Sequence, residues 1–175
     1  MEANFEDISL RGRIAYGIMC AENYALAKHP ERDWKPVFTE LWRISDDIMW
    51  DDWADRVADL LPEYIHEGDS YDEDEFSWID EAGFEKLKAL YAGMSEGWST
   101  IIRDIFDMEE EYAYSSIPGK GTASTRMLEE IIGTLRSEGV ELPDAKKVAF
   151  SRFEEDDGWG KPFDCTGLSK ILEKS

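Results

Sequence analysis

The residues best supplied for chemistry in this chain are carboxylates. Asp46-Asp47 and Asp51-Asp52 form two adjacent pairs, and clustered oxygen donors of that kind suit a hard divalent cation such as magnesium. A metal-dependent catalytic site also needs a deep pocket and a second ligand cluster. The obvious second run, Asp72 to Glu75, lies in a stretch that reads as an exposed loop. Glu63 and His66 make one E-x-x-H step, an element that di-iron helical bundles use twice together with two further glutamates, and the sequence holds no second copy. With His29 and His66 the only histidines, a histidine triad or a multi-histidine zinc site lacks material. Ser115 to Ser124, SSIPGKGTAS, has the glycines of a phosphate loop without its G-x-x-x-x-G-K-[ST] spacing, and neither a calcium loop nor a dinucleotide fingerprint occurs. No catalytic, cofactor-binding or metal-ligating residue is assigned, and the chain is expected not to be an enzyme. Two alternatives stay open: a carboxylate-rich enzyme using Asp46 to Asp52 on a divalent ion, and a helical scaffold whose acidity only keeps it in solution.

The same acids define a surface. The chain holds 40 Asp and Glu against 19 Lys and Arg, a formal net charge of −21, which repels the phosphates of nucleic acids and of anionic membranes. Between Glu40 and Glu85 there are 17 acids against Arg43 and Arg56, so about a quarter of the chain carries −15 of that charge. A solvated face produces such a run too, but its concentration favours a binding face for a basic partner. Apolar residues at 42% and seven tryptophans argue for a folded chain, and 175 residues are enough for one domain and too few for two without a linker. Residues 1–175 are read as one domain. No basic leader precedes the apolar run Ala15 to Ala21, which points to a cytoplasmic protein. Cys20 and Cys165 have neither metal-ligand nor disulfide spacing, and Cys20 reads as a core thiol.

Helical periodicity supplies the elements that would hold this surface. Asp7 or Ser9 is placed to cap a first helix reaching about Lys28, apolar nearly all round and therefore buried. Asp33 is placed to cap a second, with Trp34, Val37, Phe38, Leu41 and Trp42 at helical spacing. From Asp46 to Tyr64 a third helix is expected, turning Trp50, Trp53, Val57, Leu60 and Leu61 inward and repeating Asp47, Asp51, Asp55 and Asp59 every four residues outward. Like charges at that spacing cost a helix about 0.2–0.5 kcal/mol per pair, so local stability does not explain the ladder. Glu67 to Glu81 reads as an acidic loop pinned by aromatics. Further helices follow Asp80 or Glu81, Ser95, and Ser124 or Thr125, the last ending at Gly139. Beyond it, Leu142 to Phe150 reads as helix, Val148 to Phe153 equally as a short extended segment, and Leu168 to Leu172 as a last short helix. The expected fold is all-α, a single-domain bundle of about six or seven helices with a buried N-terminal helix and an irregular C-terminal tail.

Several segments, RGRIAYGIMCAENYALAK, DWKPVFTELWRI, PEYI, EFSWID and LPDAKKVAFSRFEEDDGWGKPFD, resemble a family of mostly α-helical immunity proteins from bacterial polymorphic toxin systems. The likeness spans nearly the whole chain. It implies a small cytoplasmic protein that binds and blocks a cognate toxin domain in the producing cell. An acidic inhibitor suits a nuclease-type toxin with a basic cleft, and charge complementarity accelerates the encounter. Charge alone gives poor selectivity, so aromatic anchors are expected among the acids. The expected toxin-binding residues are Asp47, Asp51, Asp55, Asp59, Asp72, Glu73, Asp74 and Glu75, with Tyr71, Trp78 and Trp159 as anchors. Trp34, Trp42 and Trp98 are expected in the core.

Overall fold

A computed structural model describes residues 3–66 and 68–172. It is all-helical, with six α-helices: α1 (Leu10–Lys28), α2 (Lys35–Leu41), α3 (Trp50–Ala58), α4 (Glu81–Tyr91), α5 (Glu96–Glu110) and α6 (Thr122–Ser137). Among the described residues the only strand-like pairing is an isolated antiparallel bridge between Ile8 and Arg152. Glu67, at the start of the expected acidic loop, and residues 173–175, beyond the expected last helix, lie outside the described residues.

The N-terminal helix is the axis. Every residue of α1 from Leu10 to Ala25 is buried, as a helix with no polar face requires. Against it pack α5, α6 and α2, and α5 and α6 also pack on each other. The Ser9 side chain caps α1 by accepting from the Gly12 amide, satisfying one of the donors that a helix start leaves free. Gly12 admits the C-terminal tail: a Cβ there would meet Ile8 Cγ2 at 2.5 Å and Ser151 Cβ at 3.0 Å. The tryptophans expected inside are there, with Trp34, Trp42 and Trp98 almost completely buried.

Three charged side chains on α1 are buried with the rest. A buried charge is tolerable only when fully hydrogen-bonded, and each of these binds a distant segment. Arg13 donates to the carbonyls of Phe5, Ile8, Lys120 and Gly121 and to Ser124 Oγ at 2.8–2.9 Å. Arg11 donates to the carbonyls of Ile44, Asp46 and Gly160. Glu22 accepts from Trp42 Nε1 at 2.7 Å, and from Ser169 Oγ and the Lys170 amide at 2.6 Å. The chain after α6 is thus drawn onto α1 by side chains rather than by helices. Its ordered pieces are 3₁₀ turns at Ala145–Val148 and Glu155–Gly158, and Ser9 N donates to Ser151 O at 2.8 Å beside the isolated bridge. Both readings of residues 142–153 therefore hold in part, a helical turn first and a bridge after it. At the end, 166–168 form a turn rather than a helix, with Leu168 and Ile171 buried.

The largest departure from expectation is α3. Instead of Asp46 to Tyr64 it spans nine residues, because Asp46 and Met49 are extended and the chain leaves the helix after Ala58, with Pro62 starting a separate 3₁₀ turn. Asp51 and Asp52 sit in the first turn and Arg56 in the last, the arrangement that a helix dipole favours. Trp53, Val57, Leu60 and Leu61 are buried as expected, while Trp50 is half-buried. The last helix also starts earlier than expected, at Thr122, after Gly121 at φ 66°.

Candidate functional site

The expected acidic ladder divides three ways. Asp47 precedes α3 and is exposed, and Asp51 and Asp55 are exposed on α3. Asp59 is buried. Its carboxylate accepts from the amides of Ser77, Trp78 and Ile79 at 3.2, 2.6 and 3.1 Å, so it ties the acidic loop to the end of α3 and does not face outward.

That loop is pinned from within. Tyr71 donates its hydroxyl to Ile79 O at 3.0 Å and stacks on Phe76, and both rings pack on Phe84 of α4. Trp78 is about half exposed, with the Arg56 guanidinium 4.0 Å from its ring centroid and Arg56 in turn paired with Glu40 at 3.2 Å. Asp72, Glu73, Asp74 and Glu75 are all exposed. Asp69, Tyr71, Asp72, Glu73, Glu75 and Glu81 line a shallow open depression of about 820 Å³. Of the expected anchors in this loop, Tyr71 is an internal pin and Trp78 is the one that presents surface.

A second region gathers residues from four parts of the chain. Met49, Trp50 and Asp51 at the start of α3, Glu109 in the last turn of α5, Tyr114 and Ser115 just beyond it, and Asp156, Trp159 and Gly160 of the tail line a cleft of about 470 Å³, with Arg11 also on its wall. Trp159 meets Trp50 edge to face at 4.8 Å, and the Arg11 guanidinium covers Trp50 at 4.7 Å. Trp159 is therefore both a packed residue and part of a wall. Met49 and Tyr114 stand out at the rim, 70% and 91% exposed. Tyr114 has φ 59°, a left-handed backbone that a bulky side chain adopts only at a cost.

The electrostatics of this cleft centre on Glu109. It is 1% exposed, and among the described residues its Oε2 has no hydrogen-bond partner. Burial, followed by the neighbouring Glu110, Asp51 and Asp55, pushes its carboxyl up to about 8. The Asp51 carboxylate beside the Tyr114 hydroxyl holds that phenol above its ordinary range. One turn and a half back on α5, Asp104 is also buried with an unpartnered Oδ2, and burial together with Glu130 raises it to about 7. Asp104 lines none of the clefts described, whereas Glu109 does.

The remaining candidates are occupied otherwise. Glu63, half of the E-x-x-H step, pairs with Arg103. The Ser115 to Ser124 loop turns the carbonyls of Lys120 and Gly121 toward Arg13, the opposite polarity to a phosphate cradle. Among the described residues no three of His, Cys, Asp and Glu converge as a metal site would need, and no helix is long and apolar enough to cross a membrane. Sequence reading missed Met49, Glu109, Tyr114 and Asp156. The run Glu109-Glu110-Glu111 was the visible signal, because three consecutive acids at a helix end oppose the dipole. Comparisons with family models, with curated proteins and with solved structures find no match to this chain.

Proposed function

We propose that this protein is an immunity protein that binds and neutralises a cognate bacterial toxin, of nuclease type with a basic cleft, in the cytoplasm of the producing cell. The observation that carries the reading is the pairing of exposed apolar side chains with a strongly acidic rim: Met49 and Tyr114 project beside Asp51, Asp55 and Asp156. Interfaces bind through apolar and aromatic anchors surrounded by polar groups, and the charge of −15 between Glu40 and Glu85 would steer a basic partner toward them. The family resemblance supplies the biological setting.

The test is co-expression with the product of the adjacent reading frame, scoring host survival and co-purification. The proposal expects a neighbour that kills alone and is neutralised in a stoichiometric complex with this chain. A harmless neighbour, or a toxic one that this chain neither binds nor neutralises, would contradict it.

A further inference from the structure

We infer that the cleft between the start of α3, the end of α5 and the tail loop is a pocket for one cationic side chain, arginine or lysine, of a protein partner, with Glu109 as its counter-ion. The inference deepens the reading of this face as a partner surface and rests on it for the identity of the partner as a protein.

Four observations lead to it. First, Glu109 lines the cleft, is 1% exposed, and has an Oε2 that finds no donor among the described residues. Buried carboxyl oxygens are nearly always hydrogen-bonded, so what the ionised form of this group lacks is a donor. Second, the groups that act on its charge are further carboxylates, Asp51 and Asp55 from α3 and Glu110 from its own helix, with Asp156 across the cleft. The nearby hydroxyls of Tyr114 and Ser115 are turned to Asp51 and to the Tyr112 carbonyl. The one base on the wall, Arg11, is turned to the carbonyls of Ile44, Asp46 and Gly160. Third, the walls are the side chains that accept a long cationic stem: Trp50, Trp159, Tyr114 and Met49. Apolar contact along the stem and ring faces near the charged head both favour lysine or arginine. Fourth, Tyr114 is held out at the lip on a left-handed backbone, and strain of that kind concentrates where a surface is used.

The chemistry selects against the other ligand classes. An anion would meet Asp51, Glu109 and Asp156 together. A bare divalent ion needs several converging oxygens, and no such group occurs among the described residues. A neutral apolar ligand would fill the walls but make no use of the Glu109 carboxyl. A cation on a flexible stem satisfies both the carboxylate and the walls.

Occupancy is linked to protonation. With its carboxyl near 8, Glu109 keeps a proton at neutral pH when the cleft is empty, and an arriving cation displaces that proton. The groups facing it are Asp51 and Asp55 of α3, Glu110 of α5, Tyr114 of the following turn, Arg11 of α1 and Asp156 of the tail. Asp51, Asp55 and Glu110 strengthen the effect by favouring the protonated form.

The full chain titrated with Nα-acetyl-arginine amide and Nα-acetyl-lysine amide, read through the indole signals of Trp50 and Trp159, tests the pocket without the partner. Saturable binding of about millimolar strength is expected for one or both, with the uncharged citrulline analogue at least about tenfold weaker. Affinity should fall by about tenfold or more from pH 9 to pH 6, with proton release visible as a buffer-dependent enthalpy. Glu109→Gln should weaken binding about tenfold and abolish proton release, and Asp51→Asn, on the exposed rim, should weaken it less. Equal binding of the arginine and citrulline analogues, or an affinity that Glu109→Gln leaves unchanged, would overturn the inference. These outcomes are independent of host survival, so a failed co-expression with a positive titration would remove the toxin reading and leave the pocket, while rescue with a negative titration would do the reverse.

Discussion

The cleft between α3 and α5 and the acidic loop before α4 are both rich in carboxylates, but the charge rests on different foundations. In the loop, Asp72 to Glu75 stand in solvent, where their influence is long-range and screened by salt. The buried carboxylate that belongs to the loop, Asp59, is fully employed in accepting three backbone amides. In the cleft the buried carboxylate, Glu109, has an oxygen with no partner and is surrounded by further acids. One region uses burial to hold itself together, and the other buries a carboxyl whose ionisation nothing around it compensates. Residues of the second kind are costly to keep, which is why the cleft rather than the loop is the stronger candidate for contact.

The largest effect should come from Asp59→Ala. It leaves the amides of Ser77, Trp78 and Ile79 without their acceptor and should cost about 2–4 kcal/mol of stability in chemical unfolding. Neutralising Asp51 and Asp55 together to asparagine should change stability by no more than about 0.5 kcal/mol. Similar losses for both variants would erase the distinction between anchor and surface.

Glu109→Gln should act in the opposite sense and only above acidic pH. A carboxyl raised from its usual 4.5 to about 8 contributes stability that is fully present below 4.5 and lost as pH rises through 8. The glutamine variant should therefore match the wild type at pH 4.5 and melt several degrees higher at pH 9. Asp104→Asn should show the same pattern over a window from 3.8 to about 7. A constant difference across pH would mean that Glu109 is ionised throughout.

A smaller effect belongs to the loop. Neutralising Asp72, Glu73, Asp74 and Glu75 should slow association with a basic partner a few-fold at low salt, leave dissociation unchanged, and lose its effect at high salt. Reversing Asp51 and Asp55 to lysine should slow association and also accelerate dissociation, because those residues border the proposed contact. Trp78→Ala should cost about 0.5–1 kcal/mol of stability through loss of the Arg56 stack.

The fold was legible where its determinants are local. Ser9, Asp80 and Ser95 cap the helices assigned to them, and Gly139 closes α6 at φ 69°, because capping depends on a few adjacent residues. The apolar surface of α1 announced its burial in the same way. The extent of α3 was not legible, since a periodic pattern continues through Asp46 to Met49 although the backbone is extended at both of those residues, and Arg11 donates to the Asp46 carbonyl. The roles of Asp59 and Glu109 were hidden for a related reason. Both lie in acidic runs that look alike in sequence, and only the packing of a distant segment decides that one receives three amides and the other none. Trp159 was visible as an aromatic among acids, but Trp50, its neighbour in the cleft, comes from more than a hundred residues away.

Amide hydrogen exchange on the complex with the proposed toxin partner would locate the contact most directly. Protection gained over residues 49–55, 107–115 and 156–160, with little change over 68–79 beyond the loop's own hydrogen bonds, is the predicted result. Protection confined to the loop or to the face of α6, with exchange around Tyr114 unchanged, would contradict the assignment of the cleft as the binding site.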